Sequence, residues 1–188
     1  MASDGSYLAR SSKQFKLKNK MSNAEKTELR SSRTNLKYIE IGDVTRYELI
    51  TKYIVGTIDE LPTRGEFRIR KGNILMSINN SSRGTVVYVP DEFDGAVCTS
   101  GFLVIEPENE DEGHLLWYAL RSEFCRKQIY YLAQTASQPE LKLPAWEADF
   151  VVPMPAGENR VNAIQSSKEF QSHLSALLNA DSYRVISE

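Results

Sequence analysis

The sequence has few of the residues that build metal and redox centres. Its 188 residues include two cysteines, Cys98 and Cys125, and two histidines, His114 and His173. The cysteines lack C-x-x-C spacing, so a zinc site would need ligands from four separate segments. Two buried thiols and two surface or capping imidazoles are the plainer expectation. No stretch approaches the roughly 18–20 apolar residues of a membrane helix, and the first ten residues hold no apolar core for a secretory signal. A cytoplasmic chain without membrane contact is expected, in which the glycosylation tripeptides beginning at Asn79 and Asn80 go unused. Also missing are a G-x-S-x-G elbow, a Walker loop, a G-x-G-x-x-G fingerprint, an H-E-x-x-H pair and the Asn/Asp-Pro-Pro-Tyr/Phe tetrapeptide of amino-methyltransferases. No catalytic residue, metal or cofactor is expected.

Nor is there an excess of one charge. Lys and Arg number 23 against 25 Asp and Glu, a net charge of −2 that excludes a uniformly basic protein. The charges are nevertheless segregated. Arg10 to Lys37 holds nine basic and two acidic residues, Arg64 to Gly84 five basic and one acidic, and Val89 to His114 eight acidic and no basic ones. Such segregation suits one face turned towards a polyanion, with plain solvated surface as the alternative. Length and composition fit one ordinary globular domain with an appendage.

Hydrophobic periodicity divides the chain into a polar, basic and partly mobile segment at 1–36, a domain at 37–155 and a helix at 158–180. Phe15, Leu17 and Met21 are candidates for a short strand or a latch in the first segment. Strands are expected at Tyr38–Ile41, within Tyr47–Ile58, at Phe67–Arg70, Asn73–Ile78 and Thr85–Val89, and over Ala96–Ile105 with a break at Gly101. Asn79–Gly84 is a polar hairpin tip. One helix is expected over His114–Leu132, with acidic residues at its start, followed by the polar loop Gln134–Gln138. The aromatic pairs Trp117-Tyr118 and Tyr130-Tyr131 read as core. The fold class is α+β: a strand-rich mixed sheet with a packed helix, then a C-terminal helix.

Binding chemistry is what remains. Arg64, Arg68, Arg70 and Lys71 surround an alternating strand, with Arg68 and Arg70 on one face as phosphate contacts. Asn79, Asn80, Ser82 and Arg83 lie at the hairpin tip, where Arg83 reaches outward and the asparagines either pair with adenine edges or serve the turn. Gln134, Thr135, Ser137 and Gln138 either read bases or cap the preceding helix. Val161, Ile164, Phe170, Leu174 and Leu178 stripe the last helix, which either forms an interface or packs on its own domain. Two other functions stay open: a metal-dependent nuclease using Asp91, Glu140 and Lys142, and a non-catalytic protein-interaction domain.

An ordered series of segments resembles a known family. It comprises Tyr38–Val44, Leu61-Pro62 with Arg64, Lys71–Ser77, Gly84–Pro90, Gly95–Phe102, Leu116–Ser122 and Thr135–Pro139. Together these resemble the target recognition domain of the specificity subunit of type I restriction–modification systems, over residues 37 to 155. The resemblance implies a sequence-specific, double-stranded DNA recognition module without catalysis of its own. It also implies an adenine-methyltransferase subunit as partner, with a restriction subunit as a further candidate. The family carries two such domains joined by long helices, whereas one is present here. The chain is then a half-subunit that pairs with itself through the last helix as a homodimer, or an excised domain, or the recognition part of a fused enzyme.

Overall fold

The protein is described as a computed structural model over residues 7–45, 48–78, 85–133 and 141–179. The strands are β1 (Tyr7–Ser11), β2 (Leu36–Ile39), β3 (Ile54–Gly56), β4 (Gly65–Arg68), β5 (Ile74–Ser77), β6 (Val86–Tyr88), β7 (Val97–Thr99), β8 (Phe102–Ile105) and β9 (Val151–Pro155). The helices are α1 (Asn23–Ser32), α2 (Glu110–Leu120), α3 (Glu123–Ala133), α4 (Leu143–Asp149) and α5 (Gly157–Asn179). The strands form a β6-β5-β8 sheet, a β3-β2-β7-β4 sheet in which β2 and β7 run parallel, and a β1-β9 ribbon. The expected α+β class holds.

Alternation along β5 explains the layering. Ile74 and Met76 point into a core shared with Trp117, Leu120, Ile129 and Trp146 of the helices. Leu75, between them, points the other way, into a core with Ile39, Cys98 and Phe102. A strand buried on both faces reads as a continuous apolar run, as Ile74-Leu75-Met76 does. The second sheet in turn covers Leu29 of α1 with Leu36, Tyr38 and Val97. The order of layers is therefore helices, three-stranded sheet, four-stranded sheet, α1.

The N-terminal segment, expected to be partly mobile, is built into the fold from Tyr7 onward. Leu17 bridges Ile105, Lys18 N–H donates to the Val104 carbonyl at 2.8 Å, and Met21 N–H donates to the Glu66 carbonyl at 2.7 Å. Residues 16–21 thus join the edge of one sheet to the edge of the other. α1 begins with a capping box in which Ser22 and Glu25 satisfy each other's backbone N–H groups, an arrangement that the spacing Ser22-x-x-Glu25 signals. The boundary expected at residue 37 does not separate two packing units, since Phe15 and Leu29 are both core residues.

Other expectations are corrected locally. The single helix over 114–132 is two, because Ser122 restarts it: its hydroxyl accepts the Cys125 N–H at 3.3 Å as an N-cap does. Among the described residues of 47–58 the strand is Ile54–Gly56, while Glu48 has a φ of 67° and its N–H donates to Thr45 O at 2.9 Å. Arg70 lies beyond β4 in a turn with Asn73, so Arg68 and Arg70 do not share a strand face. His114 is buried rather than superficial. It stacks on Tyr88 with centroids 4.5 Å apart and meets Ser167 Oγ at 3.1 Å, and its pKa is lowered by burial and then by Lys168. Cys98 and Cys125 are buried free thiols in separate cores, as expected, and burial pushes both upward.

α5 lies against its own domain. Lys168 pairs with Asp111 at 2.8 Å, Phe170 packs on Trp117 at 5.6 Å, and Leu174 is buried. Ile164 and Phe170 also pack on the core, while Val161 remains exposed. Leu178 belongs to the helix, but its side chain lies outside the described part. The apolar stripe that suggested an interface is thus largely used within one chain. Tyr130 and Tyr131, read as core, are exposed on α3 in an edge-to-face pair with centroids 5.7 Å apart. Tyr118 is also exposed, whereas Trp117 is buried.

Candidate nucleic-acid interface

The three-stranded sheet has two chemically different ends. At one end lie Ile78, which follows β5, and Thr85, which precedes β6, the two residues that flank the expected hairpin tip. Ile78 N–H donates to the Gly101 carbonyl and Ile78 O accepts the Leu141 N–H, at 3.0 and 3.1 Å. Leu141 is the first described residue after the loop that holds Gln134, Thr135, Ser137 and Gln138. The anchors of two expected reading segments are therefore bonded to each other. Asn79, Asn80, Ser82, Arg83 and those four loop residues themselves lie outside the described residues.

Arg64 belongs to the same end. Its carbonyl accepts the Ser100 N–H at 2.9 Å, next to Gly101. The turn behind it is tight: Gly65 N–H donates to Pro62 O at 2.8 Å, and a Cβ at Gly65 would sit 3.1 Å from Val97 Cγ1 and 3.3 Å from Tyr38 Cε2. Glycine is needed there for close approach. Tyr38 itself is fully buried, donates to Glu40 Oε1 at 3.0 Å, and is pushed up to about 12, chiefly by burial. The Arg64 side chain is exposed and has no ion-pair partner among the described residues. A rigid backbone thus presents a free guanidinium, which is what phosphate or base-edge contact requires.

The opposite end is acidic. Val89 N–H donates to Asn73 O there at 2.9 Å; the four residues of β5 lie between Asn73 and Ile78, a span of roughly 16 Å. Lys71 Nζ meets Asp91 at 2.9 Å, and Lys71 N–H donates to Asp94 Oδ1 at 2.9 Å. The Asp91 hydrogen bond and charge raise the Lys71 pKa. Arg70 is exposed beside this pair, and half-buried Arg68 lines a cleft with Glu92 and Asp94. The four cations grouped by sequence are therefore split, with Arg64 at the loop end and Arg68, Arg70 and Lys71 towards the acidic one.

The charge segregation also resolves differently from the expectation. The basic N-terminal segment meets the domain's own carboxylates: Arg10 with Glu112 at 3.1 Å, Lys16 and Lys18 with Glu106 at 2.9 and 2.6 Å, Lys20 with Glu66 at 2.5 Å, and Arg30 with Asp59 at 2.7 Å. Burial opposes ionisation of Glu106, but Lys18 and Lys16 outweigh it and hold its pKa low. Much of the apparent polyanion-binding charge is consumed inside the fold.

Nothing assembles the nuclease triad. Asp91 is engaged by Lys71 at the acidic end, whereas Lys142 follows Leu141 at the loop end, and Glu140 lies outside the described residues. Among the described residues no group of three or more His, Cys, Asp or Glu could hold a metal, and no helix is long and apolar enough to cross a membrane.

A scan of the sequence against family models finds no match, and neither does a search of curated proteins. Solved structures do match. The HsdS subunit from Thermoanaerobacter tengcongensis superposes on 92% of this chain with a TM-score of 0.70 at 17% identity. The fold is the HsdS fold. A second chain, from work on complex assembly and conformational transition of the type I R-M system, gives a TM-score of 0.72 at 20% identity over 92% of this chain. The HsdS-like chain described here spans 44% and 45% of those two, less than half of either.

One cluster of the HsdS-like fold has no signature in the sequence. Glu48 is buried with its Oε2 2.5 Å from Arg121 Nε and its Oε1 3.9 Å from Arg126 Nη2. Arg121 is stacked over Trp117 and Phe170, 4.8 and 4.4 Å from the ring centroids. Burial pushes the Glu48 carboxyl up to about 7 against the pull of both arginines.

Proposed function

We propose that this chain is a sequence-specific, double-stranded DNA recognition module of a type I-like restriction–modification system, and that the loop end of its three-stranded sheet faces the duplex. The observation that carries the reading is the Leu141 N–H to Ile78 O bond, which ties together the anchors of the hairpin tip and the polar loop beside Arg64. Asn79, Asn80, Ser82 and Arg83 contact one part of the site, and Gln134, Thr135, Ser137 and Gln138 another. Arg64 supplies an exposed cation on a well-bonded backbone. The shared HsdS fold and the ordered family-like segments support the same assignment. Catalysis belongs to other subunits: an adenine methyltransferase, and a restriction subunit where cleavage occurs.

A module spanning less than half of its structural neighbours reads one half of a split site. The second half comes from another copy or another chain, and the exposed Val161 at the start of α5 is one surface left for such pairing. Selection from random duplex DNA, with the chain alone and with its methyltransferase, tests the proposal. A single enriched half-site, bound with strong salt dependence, is expected. Recovery of unenriched DNA under both conditions contradicts it.

A further inference from the structure

Glu48 occupies an expensive position. It combines a left-handed backbone, rare for a residue with a side chain, with a carboxylate only 4% exposed. Its contact with Arg121 is a close ion pair rather than an aligned hydrogen bond. A folded-state pKa raised above the ordinary carboxylate value means that ionised Glu48 lowers stability, so folding alone does not explain it. Strain and buried charge of this kind gather at functional sites.

α2 starts at the acidic end, where a Cβ on Gly113 would lie 3.1 Å from Tyr88 Cε2 and 3.4 Å from Gly72 O. By Trp117 the helix has reached β6, with the indole N–H donating to Val86 O at 3.1 Å, one residue from Thr85 and the hairpin tip. The Arg121 backbone is one further turn along, about 6 Å, with its guanidinium lying back over the Trp117 ring. Arg126 follows on α3 with its side chain 54% exposed.

Resting on the recognition reading above, we propose that Glu48 is a positioning residue, which holds Arg121 and Arg126 beside α2 so that Arg126 meets the phosphate backbone of the duplex. A buried carboxylate fixes the guanidinium of Arg121 over Trp117 and Phe170 and draws Arg126 towards the same point. Prepositioned cations spend less conformational entropy on phosphate contact than free ones do. The other groups facing Glu48 across a cavity of about 30 Å³ are Tyr88 of β6, Glu92 of the turn after it, and Gln171 and Ser175 of α5. Neither α5 residue carries a charge.

The test is binding of a labelled mixed-sequence duplex at low salt by the full chain, by Glu48→Gln, by Arg126→Gln and by the double variant. At pH 8 Glu48→Gln is expected to bind about three- to tenfold more weakly, with a salt slope lower by about 1 and a melting temperature no lower than that of the parent. At pH 6, where Glu48 is protonated, parent and variant converge. The double variant binds no more weakly than either single one. Removing a negative charge without a positioning role predicts tighter binding, so equal or tighter binding by Glu48→Gln at pH 8 overturns the proposal. If Glu48→Gln fails to fold, Arg126→Gln decides, and undiminished binding overturns it. A parent chain that binds no duplex overturns the recognition reading itself, whereas a binding parent with insensitive variants overturns this inference alone.

Discussion

The two ends of the three-stranded sheet are made from the same strands and differ in what closes them. At the acidic end, cation and anion meet within the chain: Lys71 is bound to Asp91 and its backbone N–H to Asp94. At the loop end the backbone is equally well bonded, through Ser100, Gly101 and Leu141, while the Arg64 guanidinium has no ion-pair partner among the described residues. A cation already paired gains little from a phosphate, and an unpaired cation on a well-bonded backbone gains most. Local charge density in the sequence is therefore a poor guide to the DNA face. What counts is the charge left over after folding.

The comparison can be broken most severely at Gly65, which supports Arg64 from below. Gly65→Ala forces a Cβ against Pro62 O and Val97 Cγ1, both at 3.1 Å, and is expected to lower stability by about 1–3 kcal/mol in urea unfolding. Gly42, with nothing within 4 Å of an added Cβ, is the control and tolerates alanine. Next in size, Arg64→Ala is expected to weaken duplex binding about tenfold, whereas Lys71→Ala changes it less than about twofold. Equal losses from both in an anisotropy titration would erase the distinction between the ends.

Two carboxylates sharpen the comparison through pH. Glu106 has a depressed pKa, so its stabilisation is present above the unfolded carboxylate range and is lost as pH falls through the folded value. Glu48 has a raised one: stability falls as pH rises from the unfolded carboxylate value, near 4.5, through about 7. Denaturation of Glu106→Gln and Glu48→Gln across pH 3–8 should remove one limb each. The smallest effect is expected from Lys16→Ala. Its exposed pair with Glu106 contributes about 0.2–1 kcal/mol, and its loss should leave duplex affinity within about twofold.

Much of the fold was legible because buried strands announce themselves. Ile74-Leu75-Met76 and Val86-Val87 alternate between two cores, and the polar run between them could only be a hairpin tip. The helix expected at 158–180 followed from its apolar stripe, and α5 spans Gly157–Asn179. The N-terminal segment was misjudged because its composition is polar, although four apolar side chains, Phe15, Leu17, Met21 and Leu29, suffice to dock it. Its Ser22-x-x-Glu25 box was a signal that composition obscured. Tyr130 and Tyr131 were misplaced because a helix broken at Ser122 turns its following residues to a new face. For the site, Arg64 carried a family-like signal in Leu61-Pro62-x-Arg64, but its separation from Arg68, Arg70 and Lys71 depends on strand order, which spacing does not encode. Glu48 had no signal at all, since its partners lie 73 and 78 residues away along the chain.

The most direct test is an amide chemical-shift map of the labelled chain titrated with a duplex recovered by selection. The loop-end amides of Arg64, Ile78, Thr85, Ser100 and Leu141 should shift or broaden, while those of Gly72, Asn73, Asp91 and Asp94 at the acidic end stay in place. Shifts concentrated at the acidic end, with the loop end silent, would contradict the assignment of the DNA face.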